Sequence, residues 1–237
     1  MSSSWHDQPR AAFDVETTGR NSRAVRIVTA SVVVVDGAGN VTAEHEWLAN
    51  PGVDIPEEAA QIHGITTEHA RANGQDAKTV VAELAKTLED LFLVGVPVIA
   101  FNANYDFTVL AAECARHGIA QVRRFPVLDP FIMNKQVDRY RKGKRTLTAL
   151  CEEYGISLEN AHTSAADALA TSRMLDAMVL KFPKLKMPAE ALHNLQIEWA
   201  SAQAADFQQY LRRTKPTAVI EGDWPVLPPE DNSRGEF

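Results

Sequence analysis

The stretch Phe13-Asp14-Val15-Glu16-Thr17-Thr18-Gly19 has the pattern of a strand, with apolar residues on its left side and β-tolerant threonines on its right. Successive side chains of a strand alternate between faces, so Asp14 and Glu16 project to the same side. Two carboxylates on one face of an apolar strand repel each other and lose hydration, unless a hard cation such as Mg²⁺ neutralises them. The pair therefore indicates either a metal site or a strand end that reaches solvent.

The order of strand-like and helix-like segments predicts an α/β fold. The run from Arg26 to Asp36 is so continuously β-branched that we expect a buried strand. Strands followed by alternating helices and strands give a mixed sheet flanked by helices. The predicted strands cover residues 11–18, 26–36, 41–48, 97–101 and 125–128, and the main predicted helices cover residues 57–62, 76–92, 107–118, 146–154, 164–182 and 189–213.

Two further acids occupy places comparable to that of the first pair. Asp106 directly follows the fourth predicted strand, and Asp167 lies near the start of a long helix. Sites in such sheets gather at strand ends, where distant parts of the chain converge. Four carboxylates carry about four negative charges, and two divalent cations would balance them and could clamp the oxygens of phosphoryl transfer.

His162 precedes Asp167 by five residues. On a continuous helix that offset is a turn of about 500°, so the two side chains would not share a face. We therefore predict that His162 lies in the loop before the helix and Asp167 in its first turn. An imidazole with an unperturbed pKa of about 6.5 is suited to take a proton from water. Alone, Asp106 would be interpreted as a helix cap and His162 as a surface histidine; together with the other acids they indicate catalysis.

Three motifs in this order resemble those of the DEDDh (DnaQ-like) 3′→5′ exonucleases, a family that includes the proofreading epsilon subunit of bacterial DNA polymerase III. The motifs are Asp14-Val15-Glu16-Thr17-Thr18-Gly19, Asn102-x-x-x-Asp106 and His162-x-x-x-x-Asp167, and the resemblance covers about residues 11–182. It implies an RNase H-like fold with a mixed five-stranded sheet. It also implies hydrolysis that depends on two Mg²⁺ or Mn²⁺ ions and releases nucleoside 5′-monophosphates.

The resemblance also implies a role for each residue of the motifs. Asp14 would bridge both metal ions. Glu16 and Asp167 would complete the ion that holds the attacking water, and Asp106 would serve the second ion. His162 would be the general base.

Substrate contacts are also implied near the first two motifs. Thr17 and Thr18 would lie against the terminal nucleotide, largely through their backbone, and Asn102 would either contact substrate or simply bond a turn. Two positions depart from the family pattern: Arg20 stands where many relatives carry an apolar residue that wedges against bases, and Tyr105 stands where Phe is usual.

Residues 139–145 form the most basic patch of a chain whose formal net charge is −7. The patch lies between the second and third motifs, so we predict that it contacts phosphates, with an ordinary solvated loop as the alternative. Its cations are Arg139, Arg141, Lys142, Lys144 and Arg145.

Composition favours a cytoplasmic protein without membrane contact. The two cysteines, Cys114 and Cys151, lie in helix-like patterns, which indicates core thiols in a reducing compartment. No apolar run approaches the roughly 18 residues that span a bilayer, and the polar head is not a secretory signal.

We expect three parts along the chain. Residues 1–10 are predicted to be a disordered head, and residues 11–185 the exonuclease domain. Residues 186–237 are predicted to be a C-terminal helix and an extended, acidic, Pro-rich tail. This last part either packs on the core or binds a partner, such as a polymerase.

The leading hypothesis is a 3′→5′ exonuclease that acts on 3′ ends of single-stranded DNA, either as a proofreading subunit or as a free-standing repair enzyme. The nearest alternative is an exoribonuclease of the same family, because the sequence does not locate the few contacts that read a 2′-OH. A non-catalytic adaptor on the same fold is the third hypothesis. Degenerate members should lack an acid or the histidine, and here all five are present.

Overall fold

The computed structural model describes residues 4–158 and 162–229. Within these residues the strands are β1 (Arg10–Thr17), β2 (Ile27–Val35), β3 (Val41–Asn50), β4 (Gln75–Asp76), β5 (Val98–Ile99) and β6 (Val127–Leu128). They form one mixed sheet in the order β4-β3-β2-β1-β5-β6. β1 pairs antiparallel with β2 and parallel with β5. The predicted mixed sheet is confirmed.

The sheet has one strand more than the five predicted. The additional strand, β4, is two residues long and pairs in parallel with the end of β3, where Ala49 faces Gln75 and Asn50 faces Asp76. Two residues cannot display an alternating pattern, so the sequence carries no recognisable signal for β4.

Helices cover both faces of the sheet. In the described ranges they are α1 (Glu57–His63), α2 (Thr67–Asn73), α3 (Ala77–Leu93), α4 (Ala103–His117), α5 (Pro130–Val137), α6 (Leu147–Tyr154), α7 (Ser164–Lys181) and α8 (Ala189–Leu211). Val32 packs in the core cluster that contains α3 and α4, and Val33 in the cluster that contains α7 and α8. β2 is therefore buried on both faces, which explains its continuous apolar run and confirms the predicted buried strand.

The alternation of β1 directs its acids toward α7. Phe13 joins the cluster on the α3 and α4 side, whereas Ala12 joins the cluster on the α7 side. Asp14 is two residues after Ala12 and therefore continues the α7 face. Its register partner on β2 is Ser31, whose Oγ lies 2.7 Å from the Oγ of Ser164 in the first turn of α7. This buried hydrogen bond fixes the start of α7 beside Asp14.

The prediction of a disordered head is wrong for residues 4–10. Trp5 is 1% exposed, and its indole N–H donates to the carbonyl of Leu185 at 2.9 Å. Arg10 begins β1 and pairs with Asp176 of α7. A large apolar ring with a satisfied indole N–H is stabilised by burial, which outweighs the polar composition around it. Residues 1–3 lie outside the described residues.

The C-terminal helix packs on the edge of the sheet. Leu192 is buried in the cluster that contains α7. The Nδ1 atom of His193 accepts the backbone N–H of Val127 in β6 at 3.0 Å, and Gln196 donates to the carbonyl of Val127 at 3.1 Å. α8 therefore covers β6 at the edge of the sheet, where a further strand could otherwise pair. Of the two alternatives for the C-terminal part, packing on the core and binding a partner, the structure shows α8 packed on the core.

Residues 219–228 follow α8 as an extended segment, which we call the C-terminal strap. The strap crosses α4: the amide of Asn104 donates to the carbonyl of Asp223 at 2.7 Å, and the N–H of Leu227 donates to Thr108 Oγ1 at 2.9 Å. Glu221 forms a two-pronged pair with Arg23, at 2.6 and 3.0 Å. The strap thus joins α8, α4 and the loop after β1; residues 230–237 of the predicted tail lie outside the described residues.

None of the helices described combines the length and apolarity that crossing a bilayer requires.

Candidate active site

The acids of the first motif lie at the end of β1, on the side that faces α7. Asp14 and Glu16 are both partly buried. Burial, followed by repulsion from the carboxylates of Asp106, Glu16 and Asp167, raises the pKa of Asp14 well above its usual range. Burial, followed by Asp167, raises the pKa of Glu16 to about 7. These shifts mean that negative charges are crowded together away from water.

Asp106 completes the buried part of this cluster. It lies in the first turn of α4 and is buried, and its Oδ1 accepts the backbone N–H of Val15 at 3.2 Å. The bond places the side chain directly against β1, between Asp14 and Glu16. Burial raises the pKa of Asp106, and hydrogen bonds to its carboxylate from its own backbone and from Val15 oppose that effect.

The third motif approaches from the start of α7. Asp167 lies in the first turn of this helix, and His162 lies in the loop before it. Ligand atoms of Glu16, His162 and Asp167 all lie within 4.8 Å of one another. The backbone N–H of His162 donates to Asp167 Oδ1 at 3.3 Å. His162 also has a positive φ of 72°, which is costly for a residue with a side chain and is held by that bond.

The donor set fits a divalent cation with a preference for oxygen. The charged neighbours that act on Asp14, Glu16 and Asp106 are all carboxylates. Crowded carboxylates with raised pKa values are costly without compensation, and hard cations such as Mg²⁺ and Mn²⁺ supply it. The structure thus brings the four predicted ligands and the predicted base together, and their individual roles stay predictions.

A pocket of about 650 Å³ opens beside Glu16. The hydroxyl of Tyr105 donates to the carbonyl of Gly19 at 2.6 Å and lies 2.5 Å from Thr17 Oγ1. Thr18 Oγ1 accepts the N–H of Arg26 at 3.0 Å. The hydroxyls of Thr17 and Thr18 bond within the protein, and the backbone N–H of Thr18 donates to the carbonyl of Arg26 at 3.0 Å. The contact of both threonines with a terminal nucleotide stays a prediction. Other residues that line the pocket include Arg20, Pro56, Glu58, Ile62 and His63.

Tyr105 and His63 give the pocket a rigid wall. The tyrosine that replaces the usual Phe uses its hydroxyl to fasten the end of β1, so this departure from the family pattern has a structural purpose. His63 closes α1, and its Nδ1 accepts the N–H of Ile65 at 3.2 Å. Burial lowers the pKa of His63, opposed by the carbonyl of Thr17, so the ring is neutral at pH 7.

Asp129 is a residue that sequence reasoning missed. It is fully buried, and burial raises its pKa to about 6. Its carboxylate accepts the N–H groups of Asn102 and Ala103, each at 3.0 Å, at the start of α4. It also accepts the N–H of Phe131 at 2.9 Å and the indole N–H of Trp224 at 3.2 Å. One carboxylate therefore holds the starts of α4 and α5 and the C-terminal strap; an acid directly before Pro130 was the available signal.

The backbone of Asn102 helps to anchor the start of α4. It precedes α4 with a φ of 61°, and its N–H is one of the donors to Asp129. Its exposed side chain makes no capping hydrogen bond and lines a second groove, on the other side of Asp106 from the pocket. The predicted substrate contact therefore concerns that groove and not the pocket.

The basic patch divides into two groups, and the phosphate prediction does not fit the first. Arg141 pairs with Glu153 at 2.9 Å, and Arg145 donates to the side chain of Asn134 and to the carbonyl of Asp138. These guanidinium groups are engaged in holding their own loop. The second group is exposed: Lys142 and Lys144 face solvent, and Arg139 forms a surface pair with an acid of α8.

The sheet and its carboxylate cluster define the class of RNase H-like nucleases. The family model RNase_T, described as "Exonuclease", matches residues 11–175, and the chain belongs to this family. Exonucleases of the family are hydrolases that depend on divalent metal ions. The predicted DEDDh-type family is thereby confirmed.

Among its relatives are PolC-type DNA polymerases III. The chain is 31% identical to the protein of Streptococcus sanguinis (strain SK36) over 171 residues, which cover 71% of this chain and 11% of that one. It is 27% identical to the protein of Pediococcus pentosaceus over 162 residues, which cover 68% and 11%. The chain therefore spans about a tenth of the length of these curated relatives.

Solved structures of exonuclease I share the fold. The E. coli enzyme in complex with a dA16 oligonucleotide has a TM-score of 0.63 and 22% identity, with 75% of this chain and 42% of that chain covered. The enzyme of Methylocaldum szegediense has a TM-score of 0.63 and 18% identity, with 86% and 46% covered. The RNase H-like fold predicted from the motifs is confirmed.

Proposed function

We propose that this protein is a 3′→5′ exonuclease that removes nucleoside 5′-monophosphates from the 3′ end of single-stranded DNA, in proofreading or repair. The observation that carries the proposal is the meeting of four carboxylates and His162 beside a pocket of nucleotide size. Ligand pockets in proteins commonly measure about 300–1,000 Å³, and this one measures about 650 Å³.

Asp14, Glu16, Asp106 and Asp167 would hold two Mg²⁺ or Mn²⁺ ions. When bound, such ions supply positive charge that stabilises the attacking and leaving oxygens of phosphodiester hydrolysis. The carboxylates fit this task because burial and mutual repulsion leave them in need of cations.

His162 is the proposed general base. Its exposed ring lies within reach of Glu16 and Asp167, so it can take a proton from water at the edge of the cluster and release it to solvent. The bond from its own backbone N–H to Asp167 ties the position of the base to that of a metal ligand.

The pocket beside Glu16 is the proposed site of the terminal nucleoside. It offers apolar surface from Ile62, and it is lined by Thr17 and Thr18, the two threonines predicted to lie against the terminal nucleotide. Arg20 lines the pocket where relatives carry an apolar residue, so we expect it to bind a base edge or a phosphate and not to wedge between bases.

DNA is favoured over RNA by the comparisons. Exonuclease I, which shares the fold, has been solved with a dA16 oligonucleotide, and the relatives with similar sequence are DNA polymerases. A polymerase partner is part of the proposal on the same ground. A cytoplasmic location is supported by two buried, free cysteines.

The direct test measures hydrolysis of 5′-labelled oligonucleotides with Mg²⁺ or Mn²⁺. Single-stranded DNA, a mismatched duplex and RNA of matched sequence are compared side by side. We expect shortening from the 3′ end, fastest on single-stranded DNA, and no shortening by Asp14→Asn. Intact substrate with every metal would contradict exonuclease activity, and faster shortening of RNA would favour the exoribonuclease alternative.

A further inference from the structure

A long groove runs between α5 and α8 on the far side of α4 from the terminal pocket. It consists of two adjoining cavities of about 370 and 640 Å³. Both cavities are lined by Lys135 of α5 and by Gln203 and Phe207 of α8. One wall of the groove is built from α8 and the C-terminal strap, both of which lie beyond the residues 11–175 that match the family.

The groove adjoins the first turn of α4, which carries Asp106: Asn102 and Asn104 line it. Tyr105 lines the terminal pocket and Asn102 lines the groove, while Asp106 faces the carboxylates in the same turn of α4. The scissile phosphate must lie at the carboxylates. If the terminal nucleoside occupies the pocket, the preceding nucleotides leave on the Asn102 side, directly into the groove.

Aromatic rings in and next to the groove are suited to stacking: Phe207 lines both cavities, and Tyr210 lies one helical turn further along α8. Phe207 is 49% exposed and Tyr210 is 62% exposed, and their rings lie nearly parallel with centroids 6.5 Å apart. Nearer the cluster, Phe131 packs against Phe101 with centroids 5.8 Å apart. Exposed aromatic side chains of this kind bind bases without sequence preference, because every base has a flat face.

Cations lie beside these rings. The Nζ atom of Lys135 is 4.9 Å from the ring centroid of Phe131. Arg139 forms a pair with Asp206 at 3.3 Å, in which both side chains are exposed. Such exposed pairs are weak, so a phosphate can replace the carboxylate at little cost. Glu198 of α8 is a further acid in one cavity, and Glu221 and Asp223 of the C-terminal strap line the other. Glu221 is paired with Arg23, and the attractive charge is confined to the α5 side.

We propose that this groove binds the nucleotides that precede the 3′ terminus of single-stranded nucleic acid. Bases stack on Phe207 and Tyr210, and backbone phosphates bind Lys135 and Arg139. The inference rests on the proposed function, since the exonuclease site supplies the direction of the strand. It gives α8 a part in substrate binding in addition to its packing on β6.

The test measures binding of oligo(dT) chains of 2, 4, 8 and 12 nucleotides by fluorescence anisotropy, on an Asp14→Asn background that does not cleave them. We expect affinity to increase with length. In the double variant Phe207→Ala/Tyr210→Ala, the Kd for the 12-mer should rise by about tenfold or more, and most of the gain with length should disappear. Both side chains are exposed, so we expect the fold to be retained, which circular dichroism checks.

Arg139→Gln tests the phosphate contact separately. We expect it to weaken binding of the 12-mer and to reduce the slope of log Kd against log salt concentration by about 1. Lys86→Gln is the matched control, because Lys86 forms a similar exposed pair with Asp90 on α3, away from the groove. It should leave both values unchanged.

Three outcomes would overturn the inference: affinity that does not grow with length, unchanged binding by the double variant, or an equal effect of Lys86→Gln. These results are distinguishable from failure of the proposed function. An active wild-type enzyme with unaffected groove variants contradicts only the groove, whereas a wild-type protein that neither binds nor shortens DNA contradicts the exonuclease.

Discussion

His162 combines an exposed ring with a backbone conformation that few side chains adopt. Its φ of 72° costs of order 1–3 kcal/mol, and the structure around it must sustain that cost. The N–H bond to Asp167 is one contribution. Backbone strain at the proposed base is consistent with a function that requires the imidazole ring to point in one direction, at the expense of local stability.

We expect His162→Ala to lower the rate of single-turnover hydrolysis by about 10²–10⁴-fold, because the base is lost while the carboxylates remain. Binding of Mn²⁺, followed by calorimetry, should be largely retained. His69→Ala changes an exposed histidine of α2 and serves as the control. A rate within twofold of wild type for His162→Ala would exclude it as the base.

The charge of Asp14 is expected to destabilise the metal-free protein, although the same charge is proposed to hold the metal ions. Asp14→Asn removes one of four crowded charges, so we expect the metal-free variant to have a Tm about 2–4 °C higher than wild type, equivalent to about 1 kcal/mol at this length. Activity should be lost, and added Mg²⁺ should stabilise the variant less than it stabilises wild type. A lower Tm in EDTA would show that the carboxylates do not repel as inferred.

Glu16 makes stability depend on pH. Its pKa is about 7 in the folded protein and about 4.5 in the unfolded chain, so the folded state binds the proton more tightly. The resulting stabilisation is complete below pH 4.5 and is lost as pH rises through 7. In EDTA, the Tm difference between wild type and Glu16→Gln should therefore change across pH 4.5–7.5, with wild type losing relative stability. A constant difference would contradict the raised pKa.

At the scale of elements, α4 depends on groups far from it in sequence. Its first turn carries Asp106, and the two N–H groups before that turn are held by Asp129. Asp129 is in turn bound by Trp224 of the C-terminal strap. The position of Asp106, a proposed metal ligand, therefore depends on a contact made near the end of the described chain.

Trp224→Phe removes the indole N–H from a buried carboxylate and should cost about 1.5–3 kcal/mol of unfolding free energy, measured by urea denaturation. Trp47→Phe is the matched control, because the indole of Trp47 in β3 donates to Glu83 at 2.9 Å, near the opposite edge of the sheet from Asp129. Both variants should lose stability. Only Trp224→Phe should also weaken Mn²⁺ binding. Equal Mn²⁺ affinity in the two variants would show that the C-terminal strap does not affect the position of the proposed metal ligands.

At the scale of the whole molecule, the fold extends beyond the predicted exonuclease domain of residues 11–185. α8 covers β6 through His193 and Gln196, and Leu192 lies in the cluster beneath α7. A chain cut after residue 185 would expose this face. We expect such a truncation to lack a cooperative thermal transition and a near-ultraviolet dichroism signal. A sharp transition near the wild-type Tm would show that residues 11–185 fold on their own, as the predicted domain boundary requires.

The parts that could be predicted are those whose signals are local. The alternation of β1 places Asp14 and Glu16 on one face, and the offset of five residues from His162 to Asp167 separates a loop from a first helical turn. Both inferences need only standard strand and helix geometry. The convergence of these segments then follows from the tendency of sites to lie at strand ends.

The parts that could not be predicted depend on contacts between distant residues. The donors to Asp129 come from three separate segments. The position of Asp129 before Pro130 indicates the bond from Phe131, whereas nothing near Asp129 in sequence indicates the donors Asn102 and Trp224. Trp5 lies in a polar head, and its burial depends on Leu185. The division of the basic patch likewise depends on where acids such as Glu153 fall in space.

The indole that binds Asp129 has a consequence for biosynthesis. Ribosomes release a polypeptide from its amino end, so Asp129 emerges 95 residues ahead of Trp224. We expect a nascent chain to carry every proposed ligand while the helix that bears Asp106 still lacks this anchor. The carboxylate of Asp106 would thus gain this support only once the strap has left the ribosome and packed against α4.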